Sequence, residues 1–103
     1  MPLGKDIFDT EGRMCHGHAA EAGTSVILYF RPDLVDMSKA TKVNPNVVKF
    51  PDIQTFVPMQ DKTPSATVGD ATVGTAEKGK AVVEKAVARI CEFLKEEWAV
   101  EIK

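Results

Sequence analysis

The chain has 103 residues, 44% hydrophobic and 27% charged, which excludes a disordered composition and leaves room for one domain over 1–103. Thirteen Lys and Arg against fifteen Asp and Glu give a net charge of −2, so no basic surplus exists to neutralise a nucleic-acid backbone. The longest uncharged apolar run, Val26 to Phe30, is far short of the roughly 20 residues that span a bilayer. Met1-Pro2-Leu3-Gly4-Lys5-Asp6 carries neither the basic start nor the apolar stretch of a secretory signal, and Cys15 and Cys91 make no disulfide framework. The expectation is a cytoplasmic protein with no membrane or nucleic-acid partner.

Residues 1–14 are polar and glycine-containing around the apolar pair Ile7-Phe8, and read as a flexible arm or a single edge strand. A helix is expected from near His18 to about Phe30, with Gly23 weakening it by roughly 1 kcal/mol relative to alanine. Pro32 biases Arg31 away from helical angles and ends it, and Pro32–Asp36 starts a short turn. Between Lys42 and Asp70, prolines at 45, 51, 58 and 64 separate the β-favouring pieces Val47–Phe50, Thr55–Val57 and Ala66–Val68. Proline removes a ladder donor, so these pieces are expected as edge strands or extended loops. The strongest element comes last. Thr75 is a fitting N-cap with Glu77 in the first turn, and Val83, Val87, Ile90 and Leu94 follow at helical spacing. This helix is expected to reach about Glu97, with Trp98 closing its end against the body, Cys91 in the core and Gly79 a local weakness.

The densest group of reactive side chains is Cys15-His16-Gly17-His18-Ala19-Ala20-Glu21. In an extended segment His16 and His18 face one side, and at a helix start His18 and Glu21 are surface neighbours. Two imidazoles with a carboxylate and a thiolate suit zinc or another borderline metal; one imidazole alone suits acid–base work near neutral pH. A third reading is that both histidines line a polar loop. Ser25 has no Gly-x-Ser-x-Gly around it, so Thr24 and Ser25 are expected to bond back to helical carbonyls. Asp70 is expected to make a turn, and Arg31 with Asp33 to form solvated surface.

The stretch His18-Ala19-Ala20-Glu21-Ala22-Gly23-Thr24-Ser25, followed by Leu28-Tyr29-Phe30-Arg31-Pro32-Asp33-Leu34-Val35, resembles the creatininase (creatinine amidohydrolase) family. That family's signature reads His-Ala-Gly-Glu-x-Glu-Thr-Ser and runs into Leu-Arg-Pro-Asp-Leu-Val. A second stretch, Val68-Gly69-Asp70-Ala71-Thr72 and then Thr75-Ala76-Glu77-Lys78-Gly79, is similar to the family's Gly-Asp-Pro-Thr and Ala-Thr-Ala-Glu-Lys-Gly. The resemblance covers 15–98 and corresponds to the C-terminal part of the family's domain. It implies an α/β class chain, part of an α/β/α layered fold, with two main helices and a few short edge strands. It also implies metal-dependent hydrolysis of small cyclic or linear amides, with zinc or manganese, in a homo-oligomer.

Residue by residue, the resemblance places His18 at the family's active-site histidine and Glu21 at the first acid of the signature. The second acid falls on Gly23, and His16 is a candidate metal ligand. The family's metal ligands lie mainly in the N-terminal half, which this sequence does not match. Three expectations follow. The chain brings His18 and Glu21 to a site completed by a complementary N-terminal-half subunit; or it is a non-catalytic family remnant acting in assembly; or Cys15, His16, His18 and Glu21 form a small metal-binding module.

Overall fold

The computed structural model describes residues 4–10, 16–43, 53, 56 and 58–103. In place of an edge strand, residues 4–10 form a turn closed by the Ile7 and Phe8 amides on the Gly4 carbonyl, and Phe8 packs with Ile7 against Ala22 and Val82. The first helix, α1, spans Glu21–Phe30 and starts three residues later than the sequence suggests. The cause is backbone geometry: Ala19 is left-handed at φ 48° and Ala20 is extended, so neither can belong to a helix. At the other end Arg31 leaves helical angles before Pro32, as expected, and short 3-10 turns follow at Pro32–Leu34 and Met37–Lys39.

Strand β1 (Lys42–Val43) pairs antiparallel with β2 (Gly69–Asp70), Lys42 opposite Asp70 and Val43 opposite Gly69. The neighbouring Val68 exchanges both backbone hydrogen bonds with His18, so the chain beside α1 is stitched to the same strand. Of the β-favouring pieces, Val68 pairs as expected; 47–50 and most of 55–57 lie outside the described residues. A four-residue helix, α2 (Met59–Lys62), opens on Pro58. Two main helices with short strands make this an α/β chain.

The long helix α3 spans Ala76–Trp98, and the Thr75 hydroxyl accepts from the Lys78 amide as an N-cap should. Its end is a left-handed Ala99 with amides 99 and 100 both on the Leu94 carbonyl. Trp98 does not close on the body: it is 69% exposed and leans on Phe93. Cys91 is half-buried rather than in a core. Gly79 is no weakness but the crossing point of α1 and α3. A methyl group there would lie 1.9 Å from the Ser25 carbonyl oxygen and 2.9 Å from the Tyr29 Cβ, so only glycine allows the approach. Ser25, wholly buried at this crossing, accepts from the Thr75 amide instead of serving its own helix, while Thr24 bonds back to the Ala19 carbonyl.

Among the described residues the buried apolar side chains are Phe8, Ala20, Ala22 and Ala71, and the largest fully buried ones are Glu21 and Ser25. Small residues and a carboxylate thus occupy the centre. No described helix is long and apolar enough to cross a membrane.

Candidate active site

His18 sits just before α1, its backbone clamped by N–H···O bonds of 2.9 and 2.8 Å exchanged with Val68. Its Nδ1 lies 2.6 Å from the Ala66 carbonyl oxygen. A carbonyl only accepts, so Nδ1 donates in this contact, and in the neutral form of this exposed ring the free lone pair is on Nε2. Two alanines in the left-handed region adjoin His18: Ala19 (φ 48°) follows it in the chain and Ala66 (φ 66°) meets its Nδ1. Each such conformation costs a non-glycine residue about 1–2 kcal/mol, and strain of this kind gathers at functional sites.

Glu21, expected on the surface beside His18, is instead completely buried at the first turn of α1. Its Oε1 accepts from the Thr10 amide (2.8 Å) and the Thr10 hydroxyl (2.6 Å). Its Oε2 accepts from the Asp9 amide (2.9 Å) and the Lys78 ammonium (2.7 Å). Two carboxylate oxygens offer about four acceptor positions, and four donors fill them. Burial pushes the Glu21 carboxyl up, but Lys78, Thr10 and Asp9 together outweigh it and hold the group below the usual glutamate range.

Lys78 is the residue sequence reasoning missed. Its ammonium donates to Glu21, to the Asp9 carboxylate (2.8 Å) and to the Val73 carbonyl, using all three hydrogens. Burial opposes its charge, yet the Asp9 and Glu21 carboxylates raise it above the ordinary lysine value. A signal was present. A cation in a helix's first turn opposes the macrodipole, so Lys78 needs partners strong enough to offset that.

His16 does not join His18: its exposed ring stands edge-on to Phe8 at 5.8 Å. Cys15 lies outside the described residues. Among the described residues no group of three or more His, Cys, Asp or Glu converges as a metal ion needs. Glu21 has no oxygen lone pair to spare, and His18 offers one nitrogen, so these residues do not fit a metal on their own. Asp70 makes the expected turn, accepting from the Thr72 amide and hydroxyl, and Arg31 forms a fork with Asp33 on the exposed surface. Gly23 faces open space: an added Cβ would meet nothing within 4 Å.

The family model Creatininase, described as creatinine amidohydrolase, matches residues 4–94. Among solved structures, "Creatininase Mn" superposes with TM-score 0.71 at 25% identity, over 93% of this chain and 37% of its own. A Glu-to-Gln mutant creatininase complexed with creatine gives 0.70 at 25%, over 93% and 38%. A Glu-to-Gln mutant creatininase of Zn-Zn type gives 0.72 at 24%, over 93% and 37%. The chain therefore spans less than two-fifths of the length of these structures. No curated protein matches its sequence.

Proposed function

We propose that this chain, which belongs to the creatininase family, supplies the His18 corner of an amide-hydrolysing site whose remaining parts lie on another polypeptide. The observation that carries the reading is the Nδ1–H···O=C bond to Ala66, which leaves Nε2 as a single open proton acceptor on a clamped backbone. In hydrolysis of a small cyclic or linear amide, water adds to the carbonyl carbon and the C–N bond breaks. Nε2 takes the proton the water loses and passes it to the departing nitrogen. The divalent metal of the family, zinc or manganese in the solved relatives, finds no ligand set among the described residues and belongs with the complementary part.

Glu21 acts as a positioning residue. Saturated by four donors, it fixes the start of α1 directly after the His18 strand rather than carrying a proton. The need for a complementary subunit is supported by the apolar surface left open: Phe30 on α1, and Val87, Ile90 and Phe93 on α3 are each half or more exposed.

A second reading, a non-catalytic assembly protein, is favoured by Gly23, where the family signature carries an acid and this chain leaves open space. Native mass spectrometry of the purified protein, followed by amide-hydrolysis assays, separates the two. The enzymatic reading expects a second polypeptide with divalent ions, and a His18→Ala complex at least about 100-fold slower than wild type. Turnover unchanged by that substitution removes His18 from the chemistry, a metal-free homo-oligomer favours the assembly reading, and a metal-free monomer counts against both.

A further inference from the structure

We infer that the Ala66 carbonyl is a positioning group that selects which nitrogen of His18 is free, making the 63–68 segment a working part of the site. The inference rests on the reading of His18 as the reactive group. The ring is held from two directions. The paired bonds between His18 and Val68 fix its backbone, and two residues before Val68 the Ala66 oxygen takes the Nδ1 hydrogen at 2.6 Å. Ala66 reaches that place in a left-handed conformation no alanine adopts without compensation.

The compensation is visible on both sides of it. Ahead of Ala66, the Ser65 amide donates to the hydroxyl of buried Thr63 (3.3 Å), and the Ser65 and Thr41 hydroxyls bond each other at 2.7 Å. Thr41 also receives the Ala71 amide on its carbonyl, which ties this pin to the β1–β2 pair. Three hydroxyl side chains and a strand pairing therefore hold one carbonyl oxygen against one imidazole nitrogen. The consequence is chemical. With the hydrogen fixed on Nδ1, the exposed Nε2 is the atom presented to water, substrate or a neighbouring group, and no ring flip can exchange the two roles without breaking the bond to Ala66.

Long-range proton–nitrogen NMR on the full chain, about two pH units above the ordinary histidine pKa of about 6.5, reads this directly. His18 is expected with its hydrogen on Nδ1, with the His16 signal in the same spectrum for reference. In a Thr41→Val, Ser65→Ala double variant the Nδ1–H to Nε2–H ratio of His18 is expected to fall several-fold, with helical circular dichroism unchanged. A wild-type His18 carrying its hydrogen on Nε2 overturns the inference, and so does a ratio the double variant leaves unmoved. The wild-type spectrum decides even if the variant does not fold. If the tautomer is Nδ1–H and responds to the variant while His18→Ala leaves hydrolysis intact, the positioning stands and the catalytic reading alone falls.

Discussion

The two ends of α3 are built on opposite rules. At its start, Gly79 lets two helices touch backbone to backbone, Ser25 spends its hydroxyl on the Thr75 amide, and Lys78 and Glu21 leave no hydrogen or acceptor position unused. Toward its finish, Val87, Ile90 and Phe93 stand half or more in solvent, and Trp98 finds only a ring of its own helix. The first region holds its shape through polar saturation and close approach, with few large apolar groups. The second has the apolar groups and, among the described residues, little to bury them against. On the reading proposed above, stability and association fall to different stretches of one helix, and each stretch is expected to break without the other.

The largest effect is expected at the crossing. Gly79→Leu places side-chain atoms where the Ser25 carbonyl already stands, and rigid backbone cannot give way, so a loss of about 3 kcal/mol or more is expected. In a chain with so few buried apolar groups, that is enough to abolish cooperative thermal unfolding by circular dichroism.

A smaller loss should follow Lys78→Met, about 2–3 kcal/mol by urea denaturation. This is at or below the low end for a broken buried pair, because Asp9 is open to water while Glu21 is not. The pH dependence sharpens the point. The depressed Glu21 carboxyl contributes stability that is complete above the ordinary glutamate pKa of about 4.3 and lost as the pH falls through its lower folded value. The raised Lys78 contributes stability complete below about 10.4 and lost as the pH rises through its higher folded value. Lys78→Met is expected to remove the alkaline limb of the stability profile while leaving an acid limb in place.

At the far end the order reverses. Phe93→Lys should change the stability of the isolated chain by less than about 0.5 kcal/mol, since half of that side chain is already wet. Association is where it should register, as loss of the complementary subunit or of self-association in sedimentation velocity. A substitution that destabilises the isolated chain strongly would mean the exposed stripe belongs to its own fold.

What could be read in advance was what local chemistry decides. Thr75 as a cap, Pro32 as a stop, Asp70 as a turn and the periodicity of α3 all depend on a residue and its near neighbours. The family motifs, likewise, are strings. The late start of α1 was hidden because left-handed Ala19 carries no mark in sequence; alanine there reads as helix. Gly79 looked like a flaw because its purpose lies in the partner helix, 54 residues away at Ser25. Glu21 and Lys78 were separated by the same kind of distance, and only the fold shows that the conspicuous acid of the signature is buried against a lysine. The apolar stripe was legible as a stripe, but not that Val87 and Ile90 in it are more than half exposed while Val83 and Leu94 are half-buried.

Gly23 carries a consequence for how such a chain changes over generations. Gly23 is exposed and a Cβ added there meets nothing within 4 Å, so a side chain can begin at the position where the family writes an acid without moving a neighbour. An acid placed at this position would need no second change around its Cβ to accommodate it. At this one codon, inheritance can add a side chain, and about 1 kcal/mol of helix propensity with it, without moving a packed neighbour.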